Sequence, residues 1–205
     1  MKYLFVAISI LLVVSCNNNQ HTYTKEQVAK YKQEFENYVK EKNEYCKSED
    51  SPLLKEDITG FKGLHYYEYN PNFRFEGPIT IYENPDTVIV YGSKQDERPS
   101  LKFGYFEFSL NDKQHQLQIF KIFPRKPQQS DYLFLGFTDA TTNEKTYGGG
   151  RYINLELNAE NHYVVDFNYA YNPYCAYNPK YSCAIPSREN HLEIAIEAGE
   201  LKYHE

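Results

Sequence analysis

The chain has 205 residues, with 22 Lys and Arg against 28 Asp and Glu, and a formal charge of −6. That length suits one domain with a sizeable core, and the acidic balance argues against a nucleic-acid binder that neutralises phosphates. Aromatic residues are abundant, with 21 Tyr, 13 Phe and no Trp. Because Tyr and Phe favour strands, the composition predicts a β-rich domain. Strand propensity explains the tyrosines better than an aromatic platform for sugars or lipids does.

The N-terminus predicts export and a lipid anchor. A basic start precedes an apolar run from Tyr3 to Val14 that is too short to span a membrane, a pattern typical of a signal peptide. The run ends at Val13-Val14-Ser15-Cys16, which resembles the lipobox of bacterial lipoproteins, whose cysteine is acylated. We therefore expect a signal peptide over residues 1–15, a lipidated Cys16 and a tether over 16–23. An ordinary signal peptide that ends at a cysteine is the alternative.

The predicted anchor sets the expected location and partner. Several acyl chains hold a protein firmly to a bilayer, so the membrane is the partner that the sequence indicates. Asn17 is not the aspartate associated with inner-membrane retention. By analogy, this suggests the periplasmic face of the outer membrane in a bacterial cell envelope. We expect no cofactor and no nucleic acid, and the sequence does not indicate a protein partner.

A helix is predicted at the start of the domain, which spans residues 24–205. Thr24 can cap the helix, and Gln27 can complete a capping box. Apolar side chains then recur at helical spacing on one face, at Val28, Tyr31, Phe35, Tyr38 and Tyr45. We expect this helix over residues 24–45, docked on the domain through that face.

Short apolar runs separated by turn residues predict a β body over residues 60–200, after a loop from Lys47 to Asp57. The predicted strands are Leu64–Tyr69, Phe73–Glu76, Ile79–Tyr82, Thr87–Tyr91, Leu101–Leu110, Gln116–Phe123, Tyr132–Phe137, Tyr152–Leu157, Tyr163–Asn168 and Leu192–Glu197. The fold class is mainly β (α+β): a largely antiparallel sandwich or barrel-like domain with one N-terminal helix. The pattern does not decide between sandwich and barrel.

Three consecutive glycines precede Arg151, in the stretch that runs from Thr146 to Tyr152. Glycines permit positive φ and close backbone approach, so Tyr147, Gly149 and Gly150 could form a backbone nest for an anion. A bulge or a sharp turn is the favoured interpretation, because glycines mark such places in sheets.

A polar cluster is predicted where the glycine run meets the loop from Tyr169 to Pro186. We expect a hairpin between the strands 152–157 and 163–168, which would bring Arg151 beside Asp166 or Asn168. Asn172 would join them at the start of the loop. An arginine there offers a bidentate donor for a carboxylate or a phosphate. A buried structural ion pair is the commoner arrangement.

Two of the three cysteines of the domain lie in the same loop. Cys175 and Cys183 are separated by seven residues, and an exported protein is free to form a disulfide between them, with Cys46 left free. A metal site would combine both thiolates with His162 or His191, but the sequence lacks the usual ligand spacing, so we predict no metal. A nucleophilic Cys175 is the third option, and no histidine can be assigned to it from sequence.

Several segments of the C-terminal quarter resemble a known family in order and spacing. They are Thr146–Tyr152, Asp166–Asn168, Tyr171–Tyr177 and Ala198–Glu200. Together they resemble the domain of unknown function 1684 family, from about Ser51 onward. The resemblance implies no particular chemistry.

Two functions are compatible with these observations. The first is a lipid-anchored envelope protein that binds a small polar or anionic ligand, or an envelope component, through Tyr147, Gly149, Gly150, Arg151, Asp166, Asn168 and Asn172. The alternative is a hydrolase-like enzyme with Asp139, Asp166 or Glu200 as acid or base and Arg151 as the anion binder. Two carboxylates facing one open cleft would favour the enzyme, whereas carboxylates held by arginine or backbone amides would disfavour it.

Overall fold

A computed structural model describes residues 22–124, 130–157 and 162–204, so the predicted signal peptide, Cys16 and most of the tether lie outside the described residues. The predicted N-terminal helix is confirmed as α1, Lys25–Lys47. Its capping box is formed: the Gln27 amide donates to Thr24 Oγ1 at 3.2 Å, and Oε1 of Gln27 accepts from the Thr24 amide at 2.9 Å. No helix in the described part of the chain is long and apolar enough to cross a membrane.

The region between α1 and the sheets differs from the prediction. A short helix, α2 at Lys55–Gly60, forms where we expected a loop. It has no side-chain cap, and its Ile58 packs against a buried cluster that includes Cys46 and Leu53. Tertiary packing, rather than a local sequence signal, therefore supports it. The predicted strand 64–69 forms only an isolated bridge, between Tyr66 and Glu200.

The described residues contain ten strands in two sheets, and these sheets do not close into a barrel. The strands are β1 Arg74–Gly77, β2 Thr80–Ile81, β3 Thr87–Tyr91, β4 Glu97–Leu110, β5 Lys113–Ile122, β6 Tyr132–Asp139, β7 Arg151–Ile153, β8 Glu156–Leu157, β9 Tyr163–Asp166 and β10 His191–Leu192. The smaller sheet has the order β1-β9-β8. The larger sheet has the order β10-β6-β5-β4-β2, with β3 also paired to β4 and β7 to β6. Apart from the parallel β6–β10 pair, the pairings are antiparallel.

Both sheets contribute to one apolar core. Phe75 and Val165 of the smaller sheet lie in the same buried cluster as Phe106 and Phe108 of β4. The aromatic rings are in direct contact, with the centroids of Phe75 and Phe108 4.7 Å apart. The β-rich α+β class is therefore confirmed, as two open sheets packed over a shared core with one main helix.

The predicted strand 152–157 is divided between the two sheets. β7 pairs with β6, so Arg151 lies opposite Phe137. β8 pairs with β9, so only the second half of the segment forms the predicted hairpin. The predicted strand 192–197 is also shorter, because only Leu192 of it belongs to β10. The division of the first segment decides where Arg151 lies.

Candidate functional site

Arg151 is a buried structural residue and does not lie beside Asp166 or Asn168. Its Nη2 lies 2.6 Å from Asp139 Oδ2, and the side chains of the pair are 1% and 0% exposed. The guanidinium also donates to the carbonyl oxygens of Ile196, at 3.0 Å, and Ala198. Burial lowers the pKa of Arg151, while the Asp139 carboxylate opposes this change. The prediction that Arg151 lies beside Asp166 or Asn168 was wrong, because β7 pairs with β6 rather than with β9.

The glycine run forms the turn that leads into β7. Gly150 has φ +81°, and a Cβ at this position would lie 2.5 Å from the carbonyl oxygen of Phe137. Only glycine fits such a conformation and approach. A Cβ on Gly149 would lie 2.4 Å from the Tyr147 ring. The turn interpretation of the run therefore has direct structural support, at both Gly149 and Gly150.

Asn172 and Glu200 form a second buried polar group. The Asn172 backbone amide donates to Glu200 Oε2 at 3.0 Å, and its Nδ2 donates to Oε1 at 2.9 Å. The Tyr177 hydroxyl donates to the same Oε1 at 2.5 Å. Glu200 is 1% exposed, and burial raises the pKa of its carboxyl to about 7. These bonds join the loop after β9 to the end of the chain.

Asp166 ends β9 and holds the turn that follows it. Its Oδ1 accepts from the Asn168 amide at 3.0 Å and from Asn168 Nδ2 at 2.8 Å, and its Oδ2 lies 3.6 Å from Arg74 Nη1. Burial raises the pKa of Asp166 to about 6. Asn168 in turn exchanges two hydrogen bonds with the backbone of Asn70, at 2.8 and 2.9 Å.

Arg74 and Asp166 line a cleft of about 340 Å³, named here the acidic cleft. Its other lining residues are Tyr31, Glu34, Tyr38, Asn154, Glu156, Val164 and Tyr169. The guanidinium of Arg74 lies 4.5 Å from the centroid of the Tyr31 ring and donates to Glu76 at 2.8 Å. Asp166 is a predicted site residue that lines this cleft, and its charge is paired with Arg74.

Cys175 and Cys183 lie side by side, as the predicted disulfide requires. Both thiols are free in the structure, and the Cys175 amide donates to Cys183 Sγ at 3.1 Å. The Tyr147 hydroxyl lies 3.8 Å from Cys175 Sγ. A hydrogen bond from Cys183 lowers the pKa of the Cys175 thiol. The disulfide remains a prediction.

Metal ligands do not come together in the parts of the chain that the structure describes. Across residues 22–124, 130–157 and 162–204, no group of three His, Cys, Asp or Glu side chains could hold a metal ion. His191, the alternative ligand, contacts Thr138 Oγ1 through Nδ1 at 3.0 Å and lies 3.8 Å from Glu193.

The larger of the two clefts has a volume of about 460 Å³, and six of its lining residues are aromatic; we name it the tyrosine cleft. Its lining residues are Lys42, Arg98, Tyr132, Leu133, Phe134, Leu135, Tyr152, Ile153, Asn154, Tyr171, Pro173, Tyr174, Tyr181, Ser182, Cys183 and Ala184. Small-molecule sites are typically concave, largely apolar and of about 300–1,000 Å³. The volume of the tyrosine cleft lies within that range.

Two cations lie in the tyrosine cleft, and among the described residues it has no lining carboxylate. Arg98 is 7% exposed; its Nη2 donates to the Ser182 carbonyl at 2.7 Å and lies 3.2 Å from Asp96 Oδ2. Its buried Nε has no hydrogen-bond partner within the described residues. Lys42 Nζ lies over the rings of Tyr38 and Tyr171, at 5.6 and 5.1 Å from their centroids. The described lining residues therefore supply cations and no carboxylate, and the charge of Arg98 is balanced by Asp96 next to the cleft.

Neither Lys42 nor Arg98 is among the site residues predicted from the sequence, although α1 carries a signal for Lys42. Lys42 lies four residues after Tyr38 and seven after Phe35, on the face that docks on the domain. A lysine that interrupts an apolar face is a candidate for a polar contact in a cleft. Arg98 had no such signal, because its position depends on the pairing of β3 with β4.

The fold defines a β-rich α+β domain in which residues of α1 help to line both the acidic cleft and the tyrosine cleft. The chain belongs to the family described as "Protein of unknown function (DUF1684)", whose model matches residues 59–201, and this confirms the resemblance of the C-terminal segments. The structure is similar to the solution NMR structure of an uncharacterized protein from Haloarcula marismortui, with a TM-score of 0.63 and 29% identity over 87% of this chain and 97% of that chain. No curated protein matches the chain.

Proposed function

We propose that this protein is a lipid-anchored envelope protein whose domain binds a small polar or anionic ligand in the tyrosine cleft. The observation that carries the proposal is the lining of this cleft. It combines six aromatic side chains with two cations and, among the described residues, has no carboxylate. Aromatic faces attract ring-bearing molecules, and cations attract negative charge. This lining therefore supports the binding of a small polar or anionic ligand.

The anchor rests on the sequence of the first 16 residues. The apolar run, the small Ser15 and Cys16 support attachment of the protein to a membrane, with the periplasmic face of the outer membrane as the proposed location. Cys16→Ser tests the anchor. We expect the variant to remain unprocessed or to be released in soluble form. Retention in the membrane fraction, with unchanged partitioning into detergent, would contradict the proposal.

The carboxylates expected in a hydrolase are used in structural contacts. Asp139 is paired with Arg151 and accepts from the Thr141 amide at 2.6 Å. Asp166 and Glu200 accept from the Asn168 and Asn172 backbone amides respectively. These contacts favour ligand binding over acid–base hydrolysis, so we retain binding as the proposed function.

Ligand-observed NMR with a library of small polar compounds tests binding in the cleft. Tyr174 lines the cleft, and its hydroxyl donates to the Tyr45 hydroxyl at 3.3 Å. Tyr174→Ala should weaken the binding of any hit by about tenfold, because base-like or ring-like groups gain about 1–3 kcal/mol by stacking on an aromatic side chain.

The matched control for this test is Tyr45→Phe. It removes the same hydrogen bond but leaves the Tyr174 ring in the cleft. We expect Tyr45→Phe to bind every hit as the wild type does. Equal affinity of Tyr174→Ala and wild type for all hits would exclude the tyrosine cleft as the binding site.

A further inference from the structure

We infer that the tyrosine cleft is selective for ligands that combine a ring, aromatic or sugar, with one carboxylate or phosphate, and that Lys42 binds the acidic group. This inference rests on the proposed function and names its ligand class. Three features of the cleft support it, namely the available charge, the fixed aromatic faces and the contrast with the acidic cleft.

Lys42 is the cation that remains available to a ligand. Arg98 is already committed to Asp96 and to the Ser182 carbonyl. Lys42 is half-buried and forms no ion pair with any residue that the structure describes. Its charge also acts on the buried carboxyl of Glu200, whose pKa burial raises and Lys42 lowers without a direct ion pair. An ammonium held between two tyrosine rings is partly removed from water, so its attraction to an anion is stronger than at an open surface.

The aromatic walls of the cleft are fixed in position before a ligand arrives. The Tyr171 hydroxyl donates to Asn154 Oδ1 at 3.0 Å, and the Tyr152 hydroxyl donates to the Ala184 carbonyl. The rings of Tyr152 and Phe134 pack edge to face, with centroids 4.9 Å apart. Rings that are held in this way offer flat apolar faces at a low entropic cost of binding. They favour a planar or ring-shaped ligand over a flexible chain.

The acidic cleft differs from the tyrosine cleft in the charge of its lining residues. It also has tyrosine walls and contacts α1, but three carboxylates line it, from Glu34, Glu156 and Asp166, with one arginine. The tyrosine cleft reverses this balance, with two cations and no carboxylate among its described lining residues. A cationic ligand would therefore meet repulsion in the tyrosine cleft, whereas a ring-bearing acid finds a complementary charge.

The experiment compares acidic probes with neutral probes that carry the same ring. The purified full chain is titrated in a calorimeter with benzoate, phenyl phosphate and neutral benzamide, and in a second series with glucuronate and neutral glucose. The two series distinguish an aromatic acid from a sugar acid. In the series that binds, we expect the acid to bind about tenfold more tightly than its neutral analogue. The reason is that a hydrogen bond between charged groups contributes more to binding than one between neutral groups.

Two substitutions of Lys42 identify the residue that binds the acid. Lys42→Gln should abolish the preference, so that the acid and its neutral analogue bind about equally. Lys42→Arg should keep the preference, because a cation remains in place. Lys40→Gln is the matched control, since Lys40 is exposed on the same helix and does not line the tyrosine cleft. It should bind all probes as the wild type does. If Lys42→Gln does not fold, comparison of Lys42→Met with Lys42→Arg replaces it.

The outcomes separate this inference from the proposed function. Equal binding of an acid and its neutral analogue by the wild type would overturn the selectivity for acids, but it would leave the proposed binding function in place. A preference for the acid that persists without a cation at position 42 would overturn the role of Lys42. The absence of binding by every probe in both series would overturn the inference and, when joined with a silent NMR screen, the proposed function itself.

Discussion

The C-terminal polar residues are buried and bonded to other protein groups, whereas the tyrosine side chains that line the tyrosine cleft are partly exposed to solvent. Arg151 is fully buried against Asp139, and Glu200 is fully buried against Asn172 and Tyr177. Each of these charges is surrounded by protein partners. The lining of the tyrosine cleft instead includes Lys42, which has no ion-pair partner in the described residues, and several half-exposed rings. A dense set of polar residues in a sequence can therefore belong to a core rather than to a binding site.

This difference predicts that substitutions in the first region change stability and substitutions in the second change binding. Buried charges are costly to leave without a partner. Residues at an open cleft contribute less to folding, because solvent replaces the contacts that they lose.

Arg151→Ala should give the largest loss of stability. The substitution leaves Asp139 buried without its cation, and breaking a buried pair costs about 3–5 kcal/mol. Arg151→Lys should also destabilise strongly, because lysine cannot reproduce the contacts to both Asp139 and the Ile196 carbonyl. Urea unfolding measures the free energy, and Arg188→Ala, at an exposed position, is the control. Near-wild-type stability of Arg151→Ala would show that the ion pair is not structural.

Glu200→Gln should remove a pH dependence of stability. The pKa of Glu200 is raised from 4.5 to about 7 by burial, so the folded state binds the proton more tightly than the unfolded state does. The resulting stabilisation is complete below about pH 4.5 and is lost as pH rises to about 7, which amounts to about 3 kcal/mol.

The stability of Glu200→Gln should therefore fall less than that of wild type between pH 5 and pH 7. Asp166 contributes a dependence of the same sign in both proteins, since burial raises its pKa to about 6. Glu197→Gln, at an exposed position of the same segment, should behave as wild type. Parallel pH profiles for wild type and Glu200→Gln would contradict the titration of Glu200 in this range.

The disulfide should have a smaller effect. Peptide mapping without reductant should recover Cys175 joined to Cys183, with Cys46 free. Closing so short a loop stabilises by about 2–3 kcal/mol before strain, so reductant should lower the unfolding free energy by that amount. The double variant Cys175→Ser/Cys183→Ser should melt as the reduced wild type does. Stoichiometric zinc that disappears when either cysteine is changed would instead support the metal alternative.

The smallest effect on stability is expected in the tyrosine cleft. Tyr132 and Tyr91 are 48% and 46% exposed, and only Tyr132 lines the cleft. Tyr132→Ser and Tyr91→Ser should both change the unfolding free energy by about 0.5–1 kcal/mol. Only Tyr132→Ser should weaken ligand binding. If both variants bind equally well, the mouth of the cleft does not contact the ligand.

The sequence alone determined the elements whose signals are local. The capping box at Thr24 and Gln27, the helical stripe and the β-branched run Thr87–Tyr91 each depend on neighbours a few residues away, and all three predicted the observed element. The turn interpretation of Gly150 was also favoured by sequence, because positive φ is a local property. The family followed from ordered motifs in the C-terminal quarter.

Tertiary structure decided which strands pair and therefore which side chains meet. Both halves of the segment 151–157 read as strand, but strand propensity does not specify a partner, and β7 joins β6 while β8 joins β9. Arg151 consequently meets Asp139 instead of Asp166. The tyrosine cleft likewise combines residues from α1, β4, β6, β7 and the cysteine loop. Such a surface depends on contacts between distant segments, and the periodicity of a single segment carries no information about them.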